Sequence, residues 1–297
     1  MRLIRRLLLP FSLFLLVLVL LNCKQPPAST SLKEVLKHEI AAVKKELPPC
    51  RLTVGAHRGS SVKHRENTLP ALRAAEADAR YAFIEFDVQY TGDKQIVLFH
   101  DRRLFRLFGK SDALGNTSYA DLLQLTGGEI ILYHEAMAVL GKKINLEIKS
   151  QGNEQDDQRL ADAVIADLKK RGRENDVMVS SISSEVIHYI STNYPDIQTG
   201  QIFWLTWSTY LHFEALTEGL FDRFKATDAD YLLLHVANLR NIEDLLKLKP
   251  LGKTVMFWDF DDRMYVVHKD LGDRLWGTSV ISEIWRRLCF NLAELVS

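Results

Sequence analysis

No sign of charge dominates this chain. Its 38 lysines and arginines are matched by 38 aspartates and glutamates, and the cations are scattered rather than massed into a stripe. The electrostatic footprint of a nucleic-acid binder is therefore missing. Cysteine is scarce as well. Cys23, Cys50 and Cys289 are the three in 297 residues, and their spacing suggests no metal site. The first apolar run, 52–56, leads into His57-Arg58-Gly59 rather than into a glycine-rich phosphate loop, which counts against a dinucleotide site.

Long apolar runs are equally rare, and the one at 7–21 is interrupted by Pro10 and Ser12. Arg2, Arg5 and Arg6 precede it, giving the charge and length pattern of a secretory signal. The run is short for a spanning helix, although Leu3 and Ile4 bring it to the lower limit. Leu20-Leu21-Asn22-Cys23 resembles a bacterial lipoprotein cleavage box, with Asn22 where a smaller residue is usual. The expectation is a signal peptide or membrane anchor over 1–22, with Cys23 as the lipidation candidate, then a flexible tether over 23–31 and one folded domain over 32–297. Lipoprotein, uncleaved anchor and secreted product all place that domain in the cell envelope or beyond, outside the cytoplasm. Without residues 1–22 the charge is 35 − 38 = −3.

The domain opens on a helical stripe at 32–47 ended by Pro48-Pro49, and then alternates short apolar runs with helical stripes. Runs at 52–56, 83–89, 95–99, 144–148, 177–180, 198–203, 230–236, 254–258 and 274–277 read as strands. Stripes at 68–79, 118–124, 133–140, 157–171, 184–192, 213–225, 241–248, 262–270 and 280–295 read as helices. Such alternation argues for parallel strands with right-handed crossovers. The runs at 83–89 and 95–99 are too close for a crossover, so they form a hairpin. Eight strands then remain, which predicts a (β/α)8 TIM barrel with a β-hairpin insertion and an N-terminal helix. An open doubly wound sheet is the other architecture this pattern allows.

Polar residues cluster where a barrel would expose them, at strand carboxyl ends. His57 and Arg58 end the first strand, Glu85 and Asp87 share a face of the second, and His100 ends the hairpin partner. A two-residue turn at Gly92-Asp93 would set Glu85 opposite His100 and Asp87 opposite Leu98. Glu147 and Lys149 alternate along the next strand; Ser180-Ser181, Gln201, His235 and Trp258 end later ones. Glu85 and Asp87 lie between Phe83, Ile84, Phe86 and Val88, so they either hold a hard cation or mark the wet face of an edge strand. Asn67 or Thr68 suits the cap of the next helix, with Pro70 in its first turn. Glu66 has no evident structural task.

His57-Arg58-Gly59, Glu66-Asn67-Thr68, Ile84-Glu85-Phe86-Asp87, His100-Asp101 with Leu104 and Arg106, and Leu146-Glu147-Ile148-Lys149 together resemble the glycerophosphodiester phosphodiesterase family, over roughly 52–277. The resemblance implies a metal-dependent barrel hydrolase that cleaves glycerophosphodiesters to glycerol 3-phosphate and an alcohol. It implies His57 and His100 as the acid-base pair and Glu85, Asp87 and Glu147 as ligands of one divalent ion, Ca2+ or Mg2+. Arg58 would contact phosphate, and Lys149 and Glu66 match further active-site positions. Trp258 lies on the substrate side.

The family's usual proline before Glu66 is Arg65 here, and its late motifs give way to Trp258-Asp259-Phe260-Asp261 and Gly277-Thr278-Ser279-Val280. The substrate is thus less defined than the chemistry. The aromatic stretch 203–213 suggests either a lipid-tail groove or contact with a membrane surface, or else a loop packed on the barrel rim. A lysophospholipid is the alternative substrate, another phospholipid phosphodiesterase the alternative enzyme, and a non-catalytic envelope binding protein the alternative from a different class. The expected partners are the small substrate and, through the N-terminus, a membrane. Cys50 and Cys289 could pair as a disulfide in an oxidising compartment.

Overall fold

Eight strands close into a ring in the structure, a computed structural model that describes residues 53–203, 214–235, 238, 245, 248–258 and 263–267. Strands β1 (Thr53–Ala56), β2 (Phe83–Tyr90), β4 (Lys143–Ile148), β5 (Val177–Ser181), β6 (Gln198–Phe203), β7 (Tyr231–His235) and β8 (Thr254–Trp258) pair in parallel, in that order. Strand β9 (Arg263–Val267) runs antiparallel to both β8 and β1 and joins the two ends of the sheet. The short β3 (Ile96–Leu98) hangs on β2 as the hairpin partner. This is the expected (β/α)8 architecture, with its eighth position filled by an antiparallel strand.

That last strand overturns a helix expected over 262–270. The four residues between β8 and β9 permit a hairpin and no crossover helix. Met264 belongs to an apolar cluster with Phe83, Met178, Ile202, Leu233, Met256 and Trp258, and the run Met264-Tyr265-Val266-Val267 suits a strand. The turn of the hairpin differs as well. Val88 faces Leu98, so the expected register is shifted by one residue. Thr91 N–H bonds to the Gln95 carbonyl across three loop residues, and Lys94 adopts φ 61°, a longer turn than the two-residue one expected.

The helices follow their caps. α1 (Leu69–Ala77) starts at Thr68, whose side chain accepts from Ala71 N, with Pro70 in the first turn. α2 (Phe105–Phe108) is a single turn closed by Gly109 at φ 66°. α3 (Tyr119–Thr126) is capped by Ser118, and α4 (Tyr133–Met137) follows. α5 (Glu154–Arg171) has Asn153 as its cap, acids in its first turn and bases in its last, which suits the helix dipole. α6 (Ser184–Asn193) and α7 (Glu214–Lys225) follow.

Two apolar cores position the site. One lies among the strands, where Gly55 leaves room for the Phe83 ring: a Cβ there would stand 2.2 Å from it. The other joins β3 to the segment that follows it, through Val97, Phe99, Leu104, Leu114, Leu122 and Ile130. No helix among the described residues is long and apolar enough to cross a membrane. The segments 1–22, 23–31, 32–47, 204–213, 274–277 and 280–295, the three cysteines, and all of 241–248 but residues 245 and 248 lie outside the described residues.

Candidate active site

Strand alternation puts Glu85 and Asp87 on one face of β2, and the parallel register sets Asp87 beside Glu147 of β4. Ligand oxygens of these three buried carboxylates lie within 4.8 Å of one another. Lys149, just past β4, reaches Asp87 Oδ1 at 2.8 Å and Glu147 Oε1 at 2.5 Å. Glu85 Oε2 accepts from the Arg58 backbone N–H at 2.7 Å, while Glu85 Oε1 is buried without a hydrogen bond.

The electrostatics follow from burial and crowding. Burial, then Asp87 and Glu147, push the Glu85 carboxyl well above the ordinary range. Burial also raises Glu147, against the pull of Lys149. At Asp87 burial acts in the same direction, but Lys149, His100 and Arg58 outweigh it and hold the group well below its usual value. Glu66 is matched by Arg106 outside the cleft, so Glu85, Asp87 and Glu147 face Arg58 and Lys149, and three negative charges against two positive leave a deficit of one positive charge. All-oxygen donors, that deficit and an unsatisfied buried oxygen fit a hard divalent cation. The free space among the residues lining this cleft is about 20 Å3, enough for one ion or water.

The β1 corner carries the next layer. Arg58 and Asn67 both adopt left-handed backbone, at φ 61° and 58°, conformations that cost energy and recur at functional sites. Asn67 Nδ2 donates to Asp87 Oδ2 at 2.7 Å, and its Oδ1 accepts from the Asp87 N–H at 3.2 Å. The cap of α1 is therefore Thr68, and Asn67 serves the acidic cluster, a task its sequence position alone did not show. The Arg58 guanidinium bonds Glu66 at 2.9 Å and approaches Asp87 at 3.6 Å, with Nε left without a hydrogen bond. Glu66 in turn meets Arg106, which also bonds Asp101, and Asp101 Oδ1 lies 2.6 Å from His100 Nδ1. Burial raises Asp101, but His100 and Arg106 bring it down to about 2.

His57, Arg58, Glu85, His100, Glu147, Lys149 and Trp258 all line one cleft at the carboxyl ends of the strands. Asp87 is fully buried beside Glu147, and Glu66 stands behind Arg58 rather than in the cleft. The one-residue shift in register does not remove His100 from the acids, because its strand ends at the same rim. The Trp258 ring lies 6.0 Å from His57 and meets buried His235 edge-on at 4.8 Å. Asn145 also lines the cleft and was missed; a polar residue beside Glu147 in an apolar strand was the available signal. Ser181 and Gln201, read as site candidates, instead bond backbone carbonyls at the rim, and Ser180 bonds Asn145.

A family model, described as the glycerophosphoryl diester phosphodiesterase family, matches residues 57–272. The chain belongs to that family. As a glycerophosphodiester phosphodiesterase it is a phosphoric diester hydrolase. A glycerophosphodiester phosphodiesterase of Bacillus subtilis is 24 % identical over 87 % of this chain and 97 % of its own length. A human lysophospholipase D is 37 % identical over 75 residues, 25 % of this chain and 23 % of that protein. Among solved structures, the Thermotoga maritima glycerophosphodiester phosphodiesterase superposes with a TM-score of 0.54 at 22 % identity, over 82 % of this chain and 98 % of that one. An Oleispira antarctica phosphodiesterase in complex with sn-glycerol-3-phosphate gives 0.55 at 23 % identity, over 75 % and 87 %. The structural likeness speaks for the barrel.

Proposed function

We propose that this enzyme hydrolyses glycerophosphodiesters to glycerol 3-phosphate and an alcohol, with His57 and His100 exchanging protons beside one Ca2+ or Mg2+ held by Glu85, Asp87 and Glu147. The observation that carries the reading is that both histidines, Arg58, Lys149 and two of the three acids open on a single cleft. When bound, the ion supplies positive charge against the phosphoryl oxygens. The Arg58 guanidinium and the Lys149 ammonium, both lining the cleft, add positive charge beside those oxygens. In this reading His57 takes the proton of the substrate's glycerol 2-hydroxyl as that oxygen attacks phosphorus. His100 gives a proton to the departing alcohol oxygen. Water then opens the resulting cyclic phosphate with the two roles reversed. Asp101 holds Nδ1 of His100 and leaves Nε2 to move the proton. Direct attack by water is the other route.

A second substrate class is supported by the match to the human lysophospholipase D: a lysophospholipid, yielding lysophosphatidic acid. Residues 1–23 support attachment to the envelope membrane on its outer side. The test incubates the full chain with glycerophosphocholine and a lysophospholipid, with Ca2+, Mg2+ or chelator, beside Glu147→Gln. Glycerol 3-phosphate that vanishes with chelator and falls by about 100-fold in the variant is expected, since the glutamine keeps an oxygen but loses the carboxylate charge that holds the ion. Lysophosphatidic acid alone would favour the second class. Absence of both products from a folded, ion-loaded protein would refute the reading.

A further inference from the structure

We infer that Arg106 is a positioning residue that sets both the phosphate-binding Arg58 and the proton-donating His100 from outside the cleft; the inference rests on the roles proposed for those two residues. Its three guanidinium nitrogens are divided between two carboxylates. Nε donates to Asp101 Oδ2 at 2.7 Å, Nη1 to Glu66 Oε2 at 2.8 Å, and Nη2 to Glu66 Oε1 at 2.5 Å. Each carboxylate passes the constraint to one site residue. Glu66 Oε1 accepts from Arg58 Nη1 at 2.9 Å, and Asp101 Oδ1 meets His100 Nδ1 at 2.6 Å.

The turn that carries Arg106 is packed against its neighbours. Its helix turn α2 is preceded by buried Leu104 and carries Phe108, which stacks on Phe99 of the hairpin segment at 6.2 Å. The Arg65 guanidinium lies over the Phe108 ring, 4.7 Å from its centroid, and bonds the Leu107 carbonyl. The loop after β1 and the loop after β3 are thus joined at Arg106, one bringing Arg58 and the other His100. Arg106 is 45 % exposed, where an ion pair contributes little to stability. A lysine would place one point charge where the arginine fork serves two acids at once. Both features point to orientation rather than folding as the reason for this residue.

The test compares Arg106→Ala and Arg106→Lys in the full chain on two diesters of glycerol 3-phosphate, one with choline and one with 4-nitrophenol as leaving group. Nitrophenolate departs without a proton, so a misplaced acid matters little to it. For Arg106→Ala we expect kcat on the choline ester to fall about 30-fold and on the nitrophenyl ester only about 3-fold, a split that follows from loss of general-acid positioning. KM should rise on both esters as Arg58 loosens. Arg106→Lys should recover less than half of either loss, and guanidinium ion should restore part of the alanine variant's rate.

An equal loss of kcat on the two esters, or parameters within two-fold of the wild type, would overturn the inference. The 15N signals of the His100 ring, assigned with His100→Gln, provide a readout without turnover. They should report Nδ1 protonation in the wild type and a tautomer mixture in Arg106→Ala. An inactive wild type would sink the proposed reaction, and an unchanged ring signal would sink the positioning role.

Discussion

At the scale of single residues, Asn67 shows how little of a side chain's task is written beside it. Its backbone sits in the left-handed region, which asparagine tolerates better than most residues. From there its amide satisfies both the backbone N–H and a carboxylate oxygen of Asp87, twenty positions away. Replacing it by alanine removes two buried hydrogen bonds and leaves the strain. Asn67→Ala should therefore lower unfolding free energy by about 2–3 kcal/mol and weaken divalent-ion binding about ten-fold or more. Urea denaturation and calorimetric Ca2+ titration measure the two effects, and an unchanged affinity would show that Asp87 is oriented without it. Glu66 makes the same point. Its neighbours in sequence give it no work, while its neighbours in space are two arginines.

At the scale of elements, the corner between β1 and α1 decides where the phosphate-side residues stand. Gly59 at φ 76° follows Arg58 at φ 61°, and the double left-handed turn lays the chain against α1. A Cβ on Gly59 would lie 2.8 Å from the Ala71 backbone, and the corner is pinned there by Ser60 N–H to the Ala71 carbonyl. Gly59→Ala combines backbone strain with a clash against main chain, so a loss of about 2 kcal/mol or more is expected. Thermal unfolding checks it; a stability equal to the wild type would mean that the corner can relax. Local signals served the other elements well wherever a cap, a glycine or a long stripe was present, as in α1, α5 and α6. They failed at the 92–94 turn and at β9. Lys94 supplies a left-handed residue that its identity does not advertise. Arg263–Val267 becomes a strand because the sheet must close.

At the scale of the molecule, the pH response of folding has an identifiable contributor away from the acids. His235 ends β7, is fully buried against Trp258, and burial lowers its pKa to about 4. The unfolded chain binds its proton below about pH 6.5 while the folded one does not. The stability this group provides is thus complete above pH 6.5 and is lost as the pH falls toward 4. Between pH 7 and pH 5 the loss from this one residue should be about 2 kcal/mol. His235→Gln should remove that share of the pH dependence, read as the difference between the two proteins' unfolding free energies at the two pH values. Parallel curves would show that His235 titrates normally in the fold.

The sequence by itself determined the family and the barrel class, and it named the acids and histidines that the fold gathers at one cleft. Those depend on short motifs, on strand alternation and on the rhythm of strand and helix, all of which are local in the chain. Tertiary structure decided what local patterns do not contain. It set the hairpin register through a left-handed Lys94, and it closed the barrel with an antiparallel strand. It gave the helix cap to Thr68 and left Asn67 as a partner of Asp87, and it brought Arg106 onto Glu66, forty residues away. For Asn67 and Arg106 the physical reason is the same. A buried carboxylate must find its partner in space, and the chain reveals that partner only once the strands are paired.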